Sequence, residues 1–123
     1  MMELKDLDPT YSFMDQMNSG HEGPVTVFNT GVSPEGDPGD SLETWGVHAH
    51  LVKKCPGFIS AQMYTGVCDS QVSTNVAVWE SIDALRDAFS SPDFQKSLGD
   101  PKDGLVAYPL LMRKVAVPGI CVA

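Results

Sequence analysis

Apolar and polar positions alternate along four stretches of the chain, and each stretch is predicted to be a β-strand. PVTVFNTGV (residues 24–32) and FISAQMYTGV (58–67) are the first two, VSTNVAVWES (72–81) is the third, and residues 104–117 supply the fourth. A period of two is typical of strands that turn one face toward a core. The short CDSQ segment between the second and third strands predicts that they form a hairpin.

Two further stretches have the three- and four-residue spacing of amphipathic helices. The first runs from residue 40 to about residue 55, where Pro56 and Gly57 end it. Its apolar positions are Leu42, Trp45, Ala49 and Val52. The second helix begins after Ser81, a residue type that caps helix N-termini, and Ser91-Pro92 begins another short helix. The apolar positions of the second helix are Ile82, Leu85 and Phe89.

The predicted order β-α-β-β-α-β is that of the split βαβ, ferredoxin-like fold. This α+β architecture has a four-stranded antiparallel sheet with two helices on one face. Residues 24–123 make up the predicted domain, and the polar residues 1–23 form an N-terminal extension that either packs on it or stays mobile. Because the helices cover only one face of the sheet, the other face is predicted to pack on a second copy in a homodimer.

Charge and cysteine content indicate which binding partners and which cellular compartment to expect for the protein. The 16 acidic and 8 basic residues give a formal net charge of −8, which disfavours nucleic acid and anionic membranes as partners. No apolar run approaches the roughly 20 residues of a spanning helix, and no secretory signal is expected at the N-terminus. Three cysteines without CxxC spacing indicate free thiols in a reducing compartment, so a cytoplasmic location is predicted.

Motifs for nucleotide, zinc-protease and serine-hydrolase chemistry are absent, since no GxGxxG, Walker loop, HExxH or GxSxG occurs. His48 and His50 are separated by one residue, but positions i and i+2 of a helix lie about 200° apart, so the two rings cannot share a metal. His48 falls on the apolar arc near Trp45 and is predicted to line the core or a pocket. No metal site is therefore predicted.

Asn75 and Trp79 share one face of the third predicted strand, where Asn is uncommon. Asn29 interrupts the first strand in a similar way. A buried amide without partners costs about 1–3 kcal/mol, so a single Asn is more often bonded to backbone or placed at a bulge, and a single Trp is more often core. Because the first and third strands are central neighbours in this topology, the three side chains are instead predicted to meet in an apolar small-molecule pocket beneath the helices.

Four segments of the chain resemble the antibiotic biosynthesis monooxygenase family of dimeric α+β barrels. They are VTVFNTGV, CPGFISA, VSTNVAVWES and ALRDAFSSPDF, and together they span about residues 24–98. Family members that act on polyketide anthrones use O2 as co-substrate without flavin, haem or metal. The resemblance therefore implies a homodimer with no cofactor and a small aromatic polyketide substrate. Functional residues of the family match Asn29, Asn75 and Trp79, which become the candidate catalytic residues.

Two positions depart from relatives within this family. Some members have a Tyr six residues after the Trp, where this chain has Leu85, so a proton step at that position is not expected. Haem-degrading relatives have an axial His ten residues after the Trp, where this chain has Phe89, so haem is not expected. Phe89 is instead a candidate substrate-binding residue, together with Trp45, His48 and Phe94.

The function that the resemblance implies is oxidation of an anthrone-like polyketide to a quinone with O2. The carboxamides of Asn29 and Asn75 would donate hydrogen bonds to an enolate or peroxide oxygen, and Trp79 would offer an aromatic wall and an indole N–H. His48 is a candidate base if it points inward. Two alternatives stay open: a non-oxidative polyketide cyclase or isomerase on the same scaffold, and a non-catalytic dimeric binding or stress-response module in which Asn75 and Trp79 are structural.

Overall fold

The computed structural model describes residues 3–34, 46–47, 49–97 and 104–123. Its strands are β1 (Glu3–Leu4), β2 (Val25–Val32), β3 (Phe58–Thr65), β4 (Val72–Trp79) and β5 (Val106–Met112). Its helices are α1 (Phe13–Met17), α2 (Ile82–Phe89) and α3 (Pro92–Ser97), and residues 46–47 and 49–52 are also helical. None of the described helices is long and apolar enough to cross a membrane.

The five strands form one open sheet in the order β1-β5-β2-β4-β3. The four predicted strands pair antiparallel, and β1 pairs with β5 in parallel. The α+β, ferredoxin-like fold is confirmed, and β2 and β4 are adjacent as predicted. The prediction of four strands was one short, because the two residues of β1 are too few to show alternation.

The alternation predicted that the last strand continues to residue 117, but the strand ends at Met112. Beyond it the chain closes a turn in which the Ile120 N–H donates to the Val117 carbonyl at 2.9 Å, with Gly119 at a φ of 77°. Pro118 fixes one backbone angle of this turn, and Gly119 adopts the left-handed conformation that it requires. The strand itself stops earlier because Met112 pairs with Thr26, next to the first residue of β2, so β5 has almost no further pairing partner on that side.

The helix predicted from residue 40 to residue 55 is described only in part. Residues 40–45 and residue 48 lie outside the described residues, and helical geometry ends at Val52. The chain then turns through Gly57, whose φ is 86°. A Cβ added at Gly57 would lie 2.4 Å from the Cβ of Ala84 on α2, so a glycine is required for this turn to pack against the helix.

The hydrophobic core lies on one face of the sheet. Along β5 burial alternates, with Ala107, Pro109 and Leu111 buried. The largest fully buried side chains are Trp79 and Leu85, at 1% and 0% exposure. The helix α2 covers this face through Ile82, Leu85 and Ala88. Its predicted N-cap is confirmed, because the Ser81 hydroxyl oxygen accepts a hydrogen bond from the Ala84 N–H at 3.1 Å.

The short helix α1 is capped at its N-terminus and is hydrogen-bonded to β5 near its C-terminus. Ser12 and Asp15 form a capping box, in which each side chain accepts a hydrogen bond from the other residue's backbone N–H at 3.0 Å. The Gln16 amide donates to the Leu111 carbonyl at 3.0 Å and accepts from the Leu111 N–H at 2.8 Å. The side chain of Gln16 thus makes the two backbone hydrogen bonds at Leu111 that a neighbouring strand would make, because β1 pairs only with Val106 and Ala107.

The opposite face of the sheet is apolar and less covered. Its residues include Phe28, Val76, Val78 and Leu110, and no residue of β2, β4 or β5 on this face is buried. Near its margins Tyr64 and Met112 are 59% and 42% exposed. This open face is the surface on which the sequence predicts a second copy to pack.

Candidate active site

Asn29 and Asn75 are direct Cα partners in the β2–β4 ladder, at the centre of the sheet. Both side chains project from the covered face, since they lie at even spacing from the buried Val27 and Ala77. The Ser33 N–H donates to the Gln71 carbonyl at 2.8 Å. In an antiparallel pair every second residue bonds the same neighbouring strand, so the backbone groups of Asn29, four residues before Ser33, also point toward β4. The two asparagines therefore satisfy each other's backbone groups, and only the side-chain amides are left to find partners.

The amide oxygens of Asn29 and Asn75 are buried without a hydrogen-bond partner in the described part of the chain. The β2–β4 register is continuous at both residues, and the irregularity in the sheet lies elsewhere, between Phe58 and Ser60 in β3. A bulge therefore does not explain either asparagine. Each unpartnered oxygen costs about 1–3 kcal/mol, and a ligand in the adjoining cavity would offset this cost.

A cavity of about 120 Å³ adjoins the two amides. Its described lining comes from β2, β3, β4, β5, α2, α3 and the helical residues near 49–52, and comprises Val27, Asn29, Ala49, Val52, Ala61, Asn75, Ala77, Trp79, Phe89, Phe94 and Pro109. None of these side chains ionises, so within the described lining the two carboxamides are the main polar groups. An engineered cavity of about 150 Å³ binds benzene, so this enclosed space suits about one aromatic ring.

Aromatic side chains close the cavity on two sides. Trp79 contacts Phe58 edge-on, with ring centroids 5.5 Å apart and an interplanar angle of 83°. Phe89 and Phe94 stack on each other with centroids 4.8 Å apart and an angle of 4°. The first pair joins the cavity to the core, and the second holds α2 and α3 together beside it.

Five of the seven candidate site residues line this one cavity: Asn29, Asn75, Trp79, Phe89 and Phe94. The other two, Trp45 and His48, lie outside the described residues. His50 is exposed. The described residues contain no group of three or more His, Cys, Asp or Glu side chains that could hold a metal ion.

The sequence did not identify several lining residues. Val27 and Ala77 could have been found, because each lies two positions from an asparagine on the same strand face. Pro109 could not, because its place opposite Asn29 depends on the β2–β5 register. Proline is tolerated there because its missing N–H faces the outer side of β5, the side on which the backbone of Leu111 bonds Gln16.

Several solved structures have a similar fold, whereas no protein-family model and no curated protein matches the sequence. A candidate monooxygenase from Shewanella loihica PV-4 is 27% identical, with a TM-score of 0.66 over 80% of this chain and 100% of its own. SnoaB, a cofactor-independent oxygenase from Streptomyces nogalater, is 21% identical, with a TM-score of 0.70 over 79% and 98%. A candidate antibiotic biosynthesis monooxygenase from Caulobacter crescentus CB15 is 19% identical, with a TM-score of 0.64 over 80% and 98%.

Proposed function

We propose that this chain, which has the fold of the antibiotic biosynthesis monooxygenases, is a cofactor-independent monooxygenase. It would oxidise an anthrone-like aromatic polyketide to a quinone with O2. The observation that carries this proposal is the pair of carboxamides of Asn29 and Asn75, which face one aromatic-walled cavity with both amide oxygens buried and unpartnered among the described residues. The fold shared with SnoaB, a cofactor-independent oxygenase, supports the same reaction class.

The proposed reaction needs no redox group on the protein, because the substrate supplies the electrons. Loss of a proton converts the anthrone to its enolate, which transfers an electron to O2. The resulting radical pair recombines as a carbon-bound peroxide. One oxygen atom of O2 becomes the new carbonyl, and the other leaves as water after the second hydrogen of the reacting carbon is removed.

The amides suit both the substrate and the charged intermediates of this reaction. A carboxamide has an acceptor oxygen and two N–H donors, so Asn29 and Asn75 can accept from a phenol and donate to an enolate or peroxide oxygen. Donors placed where charge develops lower the barrier most when water is excluded. The apolar side chains around the amides provide that exclusion.

The aromatic residues would position the substrate. Trp79 and the Phe89–Phe94 pair give flat apolar walls for a planar ring. The enclosed volume of about 120 Å³ accommodates about one ring, so we propose that the remaining rings of a polycyclic substrate extend toward the cavity mouth. Trp45 and His48 stay candidates for contacts there, and His48 stays the candidate base.

We also propose that two copies pack through their open sheet faces and that the protein works in the cytoplasm. The apolar open face supports the dimer, since Phe28, Val76 and Leu110 would otherwise stay partly in water. All three cysteines, Cys55, Cys68 and Cys121, are free, in keeping with a reducing compartment.

The test is oxygen uptake by chelator-treated protein with a hydroxylated anthrone, followed by mass spectrometry with isotopically labelled O2. The proposal expects protein-dependent uptake and one labelled oxygen atom in the quinone. Product formation without O2 would instead support the cyclase or isomerase alternative. Failure to turn over any anthrone or related phenol would support the binding-module alternative.

A further inference from the structure

A second cavity lies beneath the N-terminal segment, next to Val25 at the start of β2. Its volume is about 230 Å³, against about 120 Å³ for the cavity at the amides. The two cavities have no described lining residue in common. The second cavity is therefore a separate space, and nothing in the proposed oxygenase chemistry uses it.

The floor of this second cavity is apolar and buried. It is formed by Val25, Ile82 and Leu111, whose exposed fractions are 4%, 5% and 9%. These side chains offer no hydrogen bond, so a ligand seated here would be held through its hydrocarbon part.

The wall of the cavity is formed by Tyr11, Gln16, Ser19 and His21. Hydrogen bonds within the protein hold part of this wall in place without a ligand. Gln16 is tied to the Leu111 backbone by two hydrogen bonds of 3.0 and 2.8 Å. The Ser19 hydroxyl donates to the Gln16 carbonyl at 2.7 Å. Because these contacts already hold the wall in place, little conformational freedom would be lost on binding.

The rim carries the cation Arg113, which has no counter-ion among the described residues. Arg113 lines the cavity just after the end of β5, and its guanidinium makes no ion pair or hydrogen bond with any described residue. The exposed His21 stands on the same rim, with its Nε2 3.4 Å from the Pro24 carbonyl. A guanidinium offers paired N–H donors that match the two oxygens of a carboxylate.

We propose that this cavity binds a small monocarboxylate with an aromatic or aliphatic body. The body would lie on Val25, Ile82 and Leu111 beside the Tyr11 ring, and the carboxylate would face Arg113. A single negative charge suits the site better than a phosphate, because the protein carries a formal charge of −8 and the floor offers no further donors. A cavity of about 150 Å³ takes benzene, so the larger space here has room for a ring with a short acidic side chain.

The isoleucines provide a direct test, since the chain has only Ile59, Ile82 and Ile120. Ile82 lies in the cavity floor, whereas Ile59 and Ile120 are 51% and 82% exposed and lie on β3 and the C-terminal turn. In full-length protein with labelled isoleucine methyl groups, NMR titration with millimolar phenylacetate should shift the Ile82 signal in a saturable way. The Ile59 and Ile120 signals should stay in place.

Two variants and a neutral analogue test the role of charge. Arg113→Gln should weaken phenylacetate binding about tenfold or more, and the matched control Lys114→Gln should change it less than about twofold. The uncharged 2-phenylacetamide should bind the wild-type protein at least about tenfold more weakly than phenylacetate. An unshifted Ile82 methyl, equal binding of the amide analogue, or full binding by Arg113→Gln would each overturn the proposal. Asn75→Ala should bind phenylacetate normally, so this result is independent of the oxygenase activity.

Discussion

Two pairs of polar residues lie at the centre of the β2–β4 ladder, and their side chains differ in hydrogen bonding. Thr30 and Thr74, on the open face, hydrogen-bond to each other through their hydroxyl groups at 2.9 Å. Asn29 and Asn75, one position away and on the covered face, leave both amide oxygens without a partner among the described residues. An unpartnered buried oxygen is destabilising, so this difference points to a ligand at the asparagines.

At the same residue scale, Asn75→Val should raise the free energy of unfolding by about 1 kcal/mol. The change removes a buried amide oxygen that has no partner and adds a residue with a higher strand propensity. Urea unfolding measures the effect. Thr74→Val is the matched control, because the same kind of substitution there breaks the hydrogen bond to Thr30 and should give no such gain. A loss of more than about 1 kcal/mol in Asn75→Val would show that the amide has a stabilising partner.

The sequence predicted that Asn75 and Trp79 share a strand face and that Asn29 lies on the neighbouring strand, but it did not predict the residue-by-residue register of the sheet. The period of two placed Asn75, Ala77 and Trp79 together, as observed. The pairing of Asn29 with Asn75 depends on register, which is set by turn geometry and core packing and has no local signature. For the same reason the sequence does not predict that Pro109 lies opposite Asn29.

At the scale of elements, one glutamine fastens α1 to the sheet. Gln16→Leu should lower the free energy of unfolding by about 1–3 kcal/mol, because it leaves the Leu111 N–H and carbonyl without their partners. The exposed Gln62, whose amide reaches only the carbonyl of its neighbour Met63, supplies the control Gln62→Leu. Urea unfolding of both variants makes the comparison, and equal stabilities would contradict the role assigned to Gln16.

The elements with a regular hydrophobic period were predictable, and the others were not. Ser81 and the stripe beginning at Ile82 identified α2 because cap and period agree. The strand β1 has only two residues, and the Gln16–Leu111 contact joins positions 95 residues apart in the chain. Such contacts depend on the finished fold, so local sequence rules do not reveal how residues 1–23 join the sheet.

At the scale of the whole molecule, the open sheet face should make the protein a dimer. Sedimentation at micromolar concentration should give twice the chain mass. Val76→Asp places a charge at the centre of this face and should yield a folded monomer, because burying an unpaired charge at an interface is costly. Thr10→Asp adds the same charge at an exposed position and should stay dimeric. A wild-type monomer would contradict the proposed interface.

The most direct test of the central claim measures oxygen uptake and thermal unfolding on Asn75→Ala, with Ser73→Ala on the same strand face as the control. If Asn75 serves the reacting substrate, turnover with an anthrone should fall about 10²-fold or more, equivalent to about 3 kcal/mol, while the melting temperature changes little. Ser73→Ala should leave both quantities near the wild-type values. An Asn75→Ala protein that melts early yet consumes oxygen at the normal rate per folded molecule would contradict the account, because Asn75 would then be a structural residue.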